Sequence, residues 1–362
     1  MARDLNLVGG SPLIGSPLVY RVTAAVLTGE LSFHKVKIEV TAGLGLASDD
    51  FDNNKENTVT LTFSSPVNSG ETIYVDISSA LRAAADNYVY SVNPPSSYPY
   101  IVFSLKAWDE YMQNGQETQK TTAITNSGGK AILGAFSDLE RMQSGGNKLV
   151  QQLSRKPTAA MDAYREMVYV GEDVVVPIPF STGMSIGDIS SGPTSKVVSV
   201  PAYSSENNGY WSTEGRDFVI LPDSFKPKDR YSFRFINSLG VMESYAVNSL
   251  VSQQMNLKAD KYDISIQETF GKFSRGTYRK QSDYEKLKLS SSPLDKYWLS
   301  WFLHEFLMAE VAWIDIDGIW IPCHFVAEDT VTGIDRTKSD MISVEFTVEL
   351  DINGSPNGSM AI

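Results

Sequence analysis

Between Asp229 and Val247 the chain alternates in a regular way. Tyr231, Phe233 and Phe235 stand against Ser232 and Arg234, and Val241, Glu243, Tyr245 and Val247 stand against Met242, Ser244 and Ala246. A period of two is the spacing of side chains on one face of a β-strand. Asn237-Ser238-Leu239-Gly240 lies between the two runs, and Asn and Gly tolerate the positive φ of a tight reversal. The pattern predicts a β-hairpin with an aromatic face and a solvated face, Arg234 and Glu243 taking solvated or interfacial positions.

The same reading along the chain predicts a mainly β protein built of several antiparallel β-sandwiches or barrels. A first module, 1–112, has strand patterns at 18–27, 33–41, 58–63, 73–76 and 100–105, separated by turn-rich clusters. One short helix, 78–85, interrupts it, with Asp76 placed to cap its N-terminus. Residues 113–165 turn polar and Gln/Thr/Asn/Gly-rich, as a linker does. Ile132, Leu133, Phe136, Leu139 and Met142 then fall near helical spacing, predicting a short helical segment over 131–143.

A second β module, 166–250, carries strand patterns at 174–179, 196–200, 218–221, 231–236 and 241–247, with Pro177, Pro179, Pro193, Pro201, Pro222 and Pro227 marking strand edges or ends. The last module, 251–362, mixes types: a strand at 262–269, then a helix over 293–309. Ser292 is the expected cap of that helix, with Pro293 at its first position and Asp295 as the acid three residues on. Asp317-Gly318 is the favoured pair for a type I′ hairpin between 313–316 and 319–323. A final strand, 343–350, sets Val344, Phe346 and Val348 against Glu345, Thr347 and Glu349. A C-terminal β-sandwich carrying one packed helix follows from that order.

Composition narrows the function. The 362 residues include 31 Lys plus Arg and 43 Asp plus Glu, for a net charge of −12, with no run of basic residues. Tight binding of a phosphate backbone needs clustered cations, so sequence-specific nucleic-acid recognition is not expected. The single cysteine, Cys323, leaves no intrachain disulfide framework and suits a reducing cytoplasm. The N-terminus shows no signal-peptide pattern, and the apolar stretch 298–314 is too short and too charged to span a bilayer, so no membrane insertion is expected.

Candidate chemistry is sparse. His34, His304 and His324 sit in three separate contexts, and adjacent Cys323 and His324 must point to opposite faces of a strand. No metal site is expected from them. Asp50, Asp52, Asn54 and Glu56 imitate half a calcium loop, but Lys55 stands where such a loop needs glycine and Leu61 where it needs a carboxylate. Asp315 and Asp317 resemble paired carboxylates, although a hairpin tip accounts for Asp317 by itself. No nucleophile elbow, phosphate loop, zinc-protease or dinucleotide motif occurs. No catalytic residue and no cofactor are assigned, and the chain is not expected to be an enzyme.

Aromatic residues make up 11% of the chain. Tyr88, Tyr90, Tyr98, Tyr100, Tyr203, Tyr210 and Trp211 fall in or beside predicted loops. Rigid amphipathic rings of this kind suit protein interfaces first and sugar stacking second. Tyr203, Tyr210 and Trp211, read as one polar loop, are the candidate glycan or interface contacts.

The phrase Tyr231-Ser-Phe-Arg-Phe-Ile-Asn-Ser-Leu-Gly-Val-Met-Glu-Ser-Tyr245 resembles one found in virion and tail proteins of Bacteroidetes bacteriophages and prophages. Ser16-Pro-Leu-Val-Tyr20 with Phe33-His-Lys-Val36 and Trp108, and Lys130-Ala-Ile-Leu-Gly-Ala-Phe-Ser-Asp-Leu-Glu140, are similar to the same group. The likeness spans residues 16–250 thinly. The order of elements in the last module is similar to tail-tube, distal-tail and baseplate-hub modules. The resemblance implies a structural tail protein that self-assembles into a ring with other tail proteins, located in the virion tail after assembly in the host bacterial cytoplasm. It also implies a DNA channel, and a net negative charge lets DNA pass without sticking. The alternative is a carbohydrate-binding, adhesin-like β protein that recognises a bacterial surface glycan.

Overall fold

A computed structural model describes residues 4–10, 13–45, 58–86, 94, 100–132, 134–135, 153–158, 164–178, 195–204, 209–268, 271–326 and 341–351. The protein is mainly β, with several antiparallel sheets and two short α-helices among those residues. The loop at 50–56, the helical pattern at 136–143 and the tyrosines at 88, 90 and 98 lie outside the described residues.

The N-terminal module holds β1 (Leu5–Gly10), β2 (Leu18–Thr23), β3 (Leu31–Gly45), β4 (Thr58–Pro66), β5 (Thr72–Asp76), helix α1 (Ser78–Asp86), β6 (Tyr100–Gln113), β7 (Gln119–Lys120) and β8 (Ile124–Ala131). Strands β1-β2-β5 form one sheet, and β4-β3-β6-β7 with β8 on β6 form another. Val36, Ile38 and Val40 of β3 and Phe103 and Leu105 of β6 meet Tyr20, Val22 and Leu81 in a single buried cluster. Asp76 accepts hydrogen bonds from the Leu18 and Ser78 N–H groups, joining the start of α1 to β2. Strands β7 and β8 lie inside the segment expected to be a linker, and they extend the first module's sheet to Ala131. Their Gln, Thr, Asn and Gly content is that of an edge strand.

The middle module is small: β9 (Glu166–Tyr169), β10 (Asp173–Pro177), β11 (Ser195–Ser199), β12 (Tyr210–Thr213) and β13 (Arg216–Leu221). Strands β10 and β11 pair with each other, while β13 pairs antiparallel with β12 and parallel with β9. Val168, Val174, Val176, Phe218 and Ile220 form its core.

The C-terminal module is one seven-stranded sheet made of β14 (Tyr231–Ile236), β15 (Met242–Val247), β16 (Ser249–Glu268), β17 (Gly271–Ser290), β18 (Ala312–Ile316), β19 (Ile319–Phe325) and β20 (Glu345–Leu350). Its order is β15-β14-β18-β19-β20-β17-β16. The opening hairpin therefore belongs to this sheet through the β14–β18 pairing, and a division at residue 250 would cut it in two. At the tip of the β18–β19 hairpin Asp317 and Gly318 have φ of 53° and 82°, the type I′ geometry that their pair predicts.

Strands β15 and β16 are opposite edges of this sheet, yet only Asn248 separates them in sequence. Laid flat, six strand spacings would part them by about 29 Å, whereas two residues reach only about 7 Å. The sheet therefore curls until its edges meet at that corner. Inside the curl lie Phe233, Phe235 and Tyr245, Phe346 and Val348, and the rings of Trp298, Trp301, Phe302 and Phe306.

Those last four rings come from α2 (Lys296–Trp301) and the wider π turn that continues it, Phe302–Phe306. The helix starts three residues later than its sequence suggests. Leu294 and Ile342 exchange backbone hydrogen bonds of 2.8 and 2.9 Å, which holds residues before Asp295 extended. Asp295 becomes the cap, accepting from the Tyr297 and Trp298 N–H groups at 2.8 and 2.9 Å.

Candidate functional site

Three features of the C-terminal module bear on function: a projecting ribbon, a buried ionic strap and an aromatic cleft above it.

Strands β16 and β17 pair along their whole length, from Ser249↔Ser290 to Glu268↔Gly271. The next strand, β20, covers only Lys286–Ser290 of β17. From Met255 and Glu285 outwards the hairpin runs on with no third strand among the described residues, for about 45 Å at ~3.3 Å per residue. A register shift between Met255 and Leu257 marks the root of this ribbon, and a β-bulge bends and twists a strand at such a point. Residues 262–268 of the strand expected at 262–269 are part of this element.

The hairpin β14–β15 has no solvated face. Met242 on its outer side packs with Val175 and Trp313, and the Ser244 hydroxyl accepts the Val175 N–H at 2.7 Å, so β10 covers the face expected to meet water. Arg234 is half-buried with its guanidinium 4.4 Å from the Trp320 ring centre. Glu243 is 0% exposed on the inner face. Neither of its carboxylate oxygens accepts a hydrogen bond among the described residues. Burial pushes its pKa up, the Arg216 and Lys156 charges and nearby Ser154 pull it down, and Glu305 pushes it up again. The Arg216 guanidinium stands 3.9 Å away.

Arg216 stands on β13, and Lys156 comes from an unexpected place, the segment 153–158 within the expected linker. Leu153 is fully buried, and its carbonyl accepts from Asn237 Nδ2 at 2.9 Å. Arg155 pairs with Glu305 at 2.7 Å. Lys156 pairs with Glu166 at 2.5 Å, donates to the Ser244 carbonyl at 2.8 Å, and lies 5.3–5.8 Å from the rings of Tyr245, Trp298 and Trp301. Arg216 holds the Lys156 carbonyl at 2.7 Å and the Ser154 hydroxyl. The segment is a strap that fastens the middle module to the curled sheet. A second fastening lies at Gly134: a Cβ there would stand 2.2 Å from the Leu239 carbonyl carbon, and Ala135 donates to the Ser238 carbonyl at 2.9 Å. Adjacent Arg155 and Lys156 in a polar stretch were the only sequence signal of the strap.

Above Lys156 opens a cleft of about 340 Å³ between β9, β12, the β15–β16 corner and the start of α2. Tyr245 and Trp298 line it, stacked at 6.2 Å, and Tyr164 and Tyr210 stand on its margin 64% and 52% exposed. Of the predicted contacts Tyr203, Tyr210 and Trp211, only Tyr210 lines this cleft. Tyr210 and Trp211 are neighbours on β12 rather than loop residues, so they point to opposite faces. Trp211 packs on Phe218 with ring centres 5.2 Å apart, against the middle core. Tyr203 is 45% exposed, its ring beside Gly209.

The histidines remain apart. His34 is buried against Asp109 at 2.9 Å, His304 lies on the π turn, and His324 meets Glu349 at 3.3 Å. Cys323 is buried and its thiol pushed up by that burial, whereas His324 on the opposite face is half-exposed. Among the described residues no group of three or more His, Cys, Asp or Glu could hold a metal ion, and no helix is long and apolar enough to cross a membrane. No protein-family model matches the chain, and no curated protein matches it in sequence.

Proposed function

We propose that this chain is a structural subunit that assembles into a ring with copies of itself, as a distal-tail, tail-tip or baseplate component of a phage tail. The observation that carries the reading is the β16–β17 ribbon. A two-stranded hairpin is marginal in water by itself. Beyond its root no described strand pairs with its edges, and such edges present rows of N–H and C=O groups that invite another strand. Pairing with a neighbouring copy supplies that strand by β-augmentation. A contact between two different surfaces of identical subunits, repeated about an axis, closes into a ring when the rotation permits.

Charge supports the same partner. Residues 271–281 contribute Lys272, Arg275, Arg279 and Lys280 and no acid, in a chain of net charge −12. A basic segment on an acidic protein steers copies of that protein towards each other. The tail setting rests on the likeness of the 229–247 phrase and on the order of the last module's elements. An acidic ring would also let DNA through its lumen without binding it.

Light scattering and negative-stain microscopy of the full chain test the proposal. A second sample replaces residues 262–277 by Asn-Gly, which closes the ribbon at the Lys261↔Tyr278 pair as a tight hairpin. Rings or discrete oligomers are expected from the full chain, and monomers of unchanged thermal stability from the shortened one. A full chain that stays monomeric at high concentration, or a shortened chain that assembles as before, overturns it.

A further inference from the structure

We infer that the cleft above Lys156 is a binding site for a neutral saccharide unit, a role independent of ring assembly. Three observations point to that chemistry. The first is the aromatic lining: two buried rings, Tyr245 and Trp298, and two large exposed rings, Tyr164 and Tyr210, border one cavity. Exposed aromatic rings around a concave, preformed cavity are the usual apolar part of a small-ligand site, and the C–H face of a pyranose is an apolar surface of matching size.

The second is the charge balance. The lining carries Arg165 and Arg230 against Glu166 and Asp295. With no net charge, the cavity gives neither an anion nor a cation the unpaired partner that would repay its desolvation.

The third is the distribution of spare hydrogen-bonding capacity. Arg230 is already committed to Glu172 and Asn248. Asp295 is committed to the helix N-terminus and to the Tyr164 N–H at 2.9 Å. Glu166 differs: one oxygen holds Lys156 at 2.5 Å, and the other accepts no hydrogen bond among the described residues. Lys156, wedged among three aromatic rings, fixes that carboxylate in place. A positioned carboxylate oxygen beside stacked rings accepts hydroxyl hydrogens from a ring lying on the aromatics. A cavity of about 340 Å³ is at the small end of ligand sites, the size for one or two sugar units.

Trp298 lines the cleft, so tryptophan fluorescence of the full chain reports occupancy. The probes are neutral mono- and disaccharides of hexose, deoxyhexose and N-acetylhexosamine type, with sialic acid and tetramethylammonium as charged comparators. Saturable binding of at least one neutral sugar is expected. It should weaken at least tenfold in Tyr210→Ala and Tyr164→Ala, both exposed positions that leave the cores intact. Tyr203→Ala, outside the cleft, should bind as the unaltered chain does. Glu166→Gln should lose affinity too, and circular dichroism shows whether that variant is folded. Titration with a polysaccharide ending in the preferred unit separates recognition of a glycan from that of a free sugar, either outcome being saccharide binding. No binding to any neutral probe, equal or stronger binding of a charged comparator, or binding untouched by Tyr210→Ala and Tyr164→Ala overturns the inference.

Discussion

Two glutamates, each almost wholly buried, sit in different modules, and their pKa values move in opposite directions. Glu110 on β6 lies 3.2, 3.0 and 3.5 Å from the ammonium groups of Lys35, Lys37 and Lys120, and accepts the Trp108 indole N–H at 3.3 Å. Desolvation raises its pKa, but the hydrogen bonds and charge of Lys37, Trp108 and Lys35 outweigh it and bring the value down to about 2. Glu243 has two cations and the Ser154 hydroxyl nearby, but neither carboxylate oxygen meets a donor at full hydrogen-bond geometry among the described residues, and desolvation wins. Burial alone therefore does not set the state of a carboxylate here. The number of donors that touch its oxygens decides. At Glu110 the long lysine side chains converge from neighbouring strands with their heads near solvent. At Glu243 the donors are already spent on the strap's own carbonyls and hydroxyl.

The largest test of this contrast removes the cation beside Glu243. Arg216→Leu deletes the counter-charge and frees the strap carbonyls of Lys156 and Pro157. A loss of about 3–5 kcal/mol in denaturant unfolding is expected, the usual result of stranding a buried charge. A loss below about 1 kcal/mol would mean that Arg216 does not compensate Glu243.

Glu110→Gln comes next. A carboxylate with a lowered folded pKa stabilises above its unfolded value, near 4.5, and that contribution disappears as pH falls through about 2. The variant should be less stable by about 1–2 kcal/mol at pH 7 and indistinguishable from the unaltered chain near pH 2. Thermal melts across that range check it. A deficit that persists in acid would assign the effect to packing.

Glu243→Gln should act least at neutral pH and in the opposite sense. Because its folded pKa is raised, the unaltered protein loses stability as pH climbs from about 4.5 towards that value, at up to about 1.4 kcal/mol per pH unit. The groups that face it are Arg216 from β13, Lys156 and Ser154 from the strap, and Glu305 from the π turn. Glutamine should flatten the profile above about pH 5. An unchanged slope would place the titrating group elsewhere.

The same contrast explains what the sequence disclosed. Period-two runs located most described strands, and Val344, Phe346 and Val348 do lie on the buried face that their alternation assigned. Alternation marks two faces, however, and cannot say what covers the polar one. For β20 water does in part, and for the Met242–Ser244 side of β15 the middle module does; Glu243 looked solvated because its charge hid its place on the inner face beside Tyr245. Capping went astray because Ser292-Pro293 is a good helix start in isolation, while the Leu294–Ile342 bridge, a long-range contact, overrides it. Tyr210 was found by its residue type and turn-rich surroundings. Tyr164, Glu166 and Trp298 were missed as its companions because they meet only through tertiary packing.

The single residue at the β15–β16 corner also dictates an order of events. Arg234 pairs with Trp313 across the whole ribbon and α2, and β17 finds β20 only after β18 and β19 have been made. Closing the third core thus depends on contacts of large sequence separation, which slow folding. Chains emerge N-terminus first and fold by domains, so the first two cores can form while β14 and β15 still wait for a neighbour. During that wait the aromatic inner face of the hairpin is exposed, and the strap that binds Glu166 and Glu305 has only half of its partners. Slow, aggregation-prone refolding of this module, with early protection of the first, is the kinetic signature that one short connection imposes.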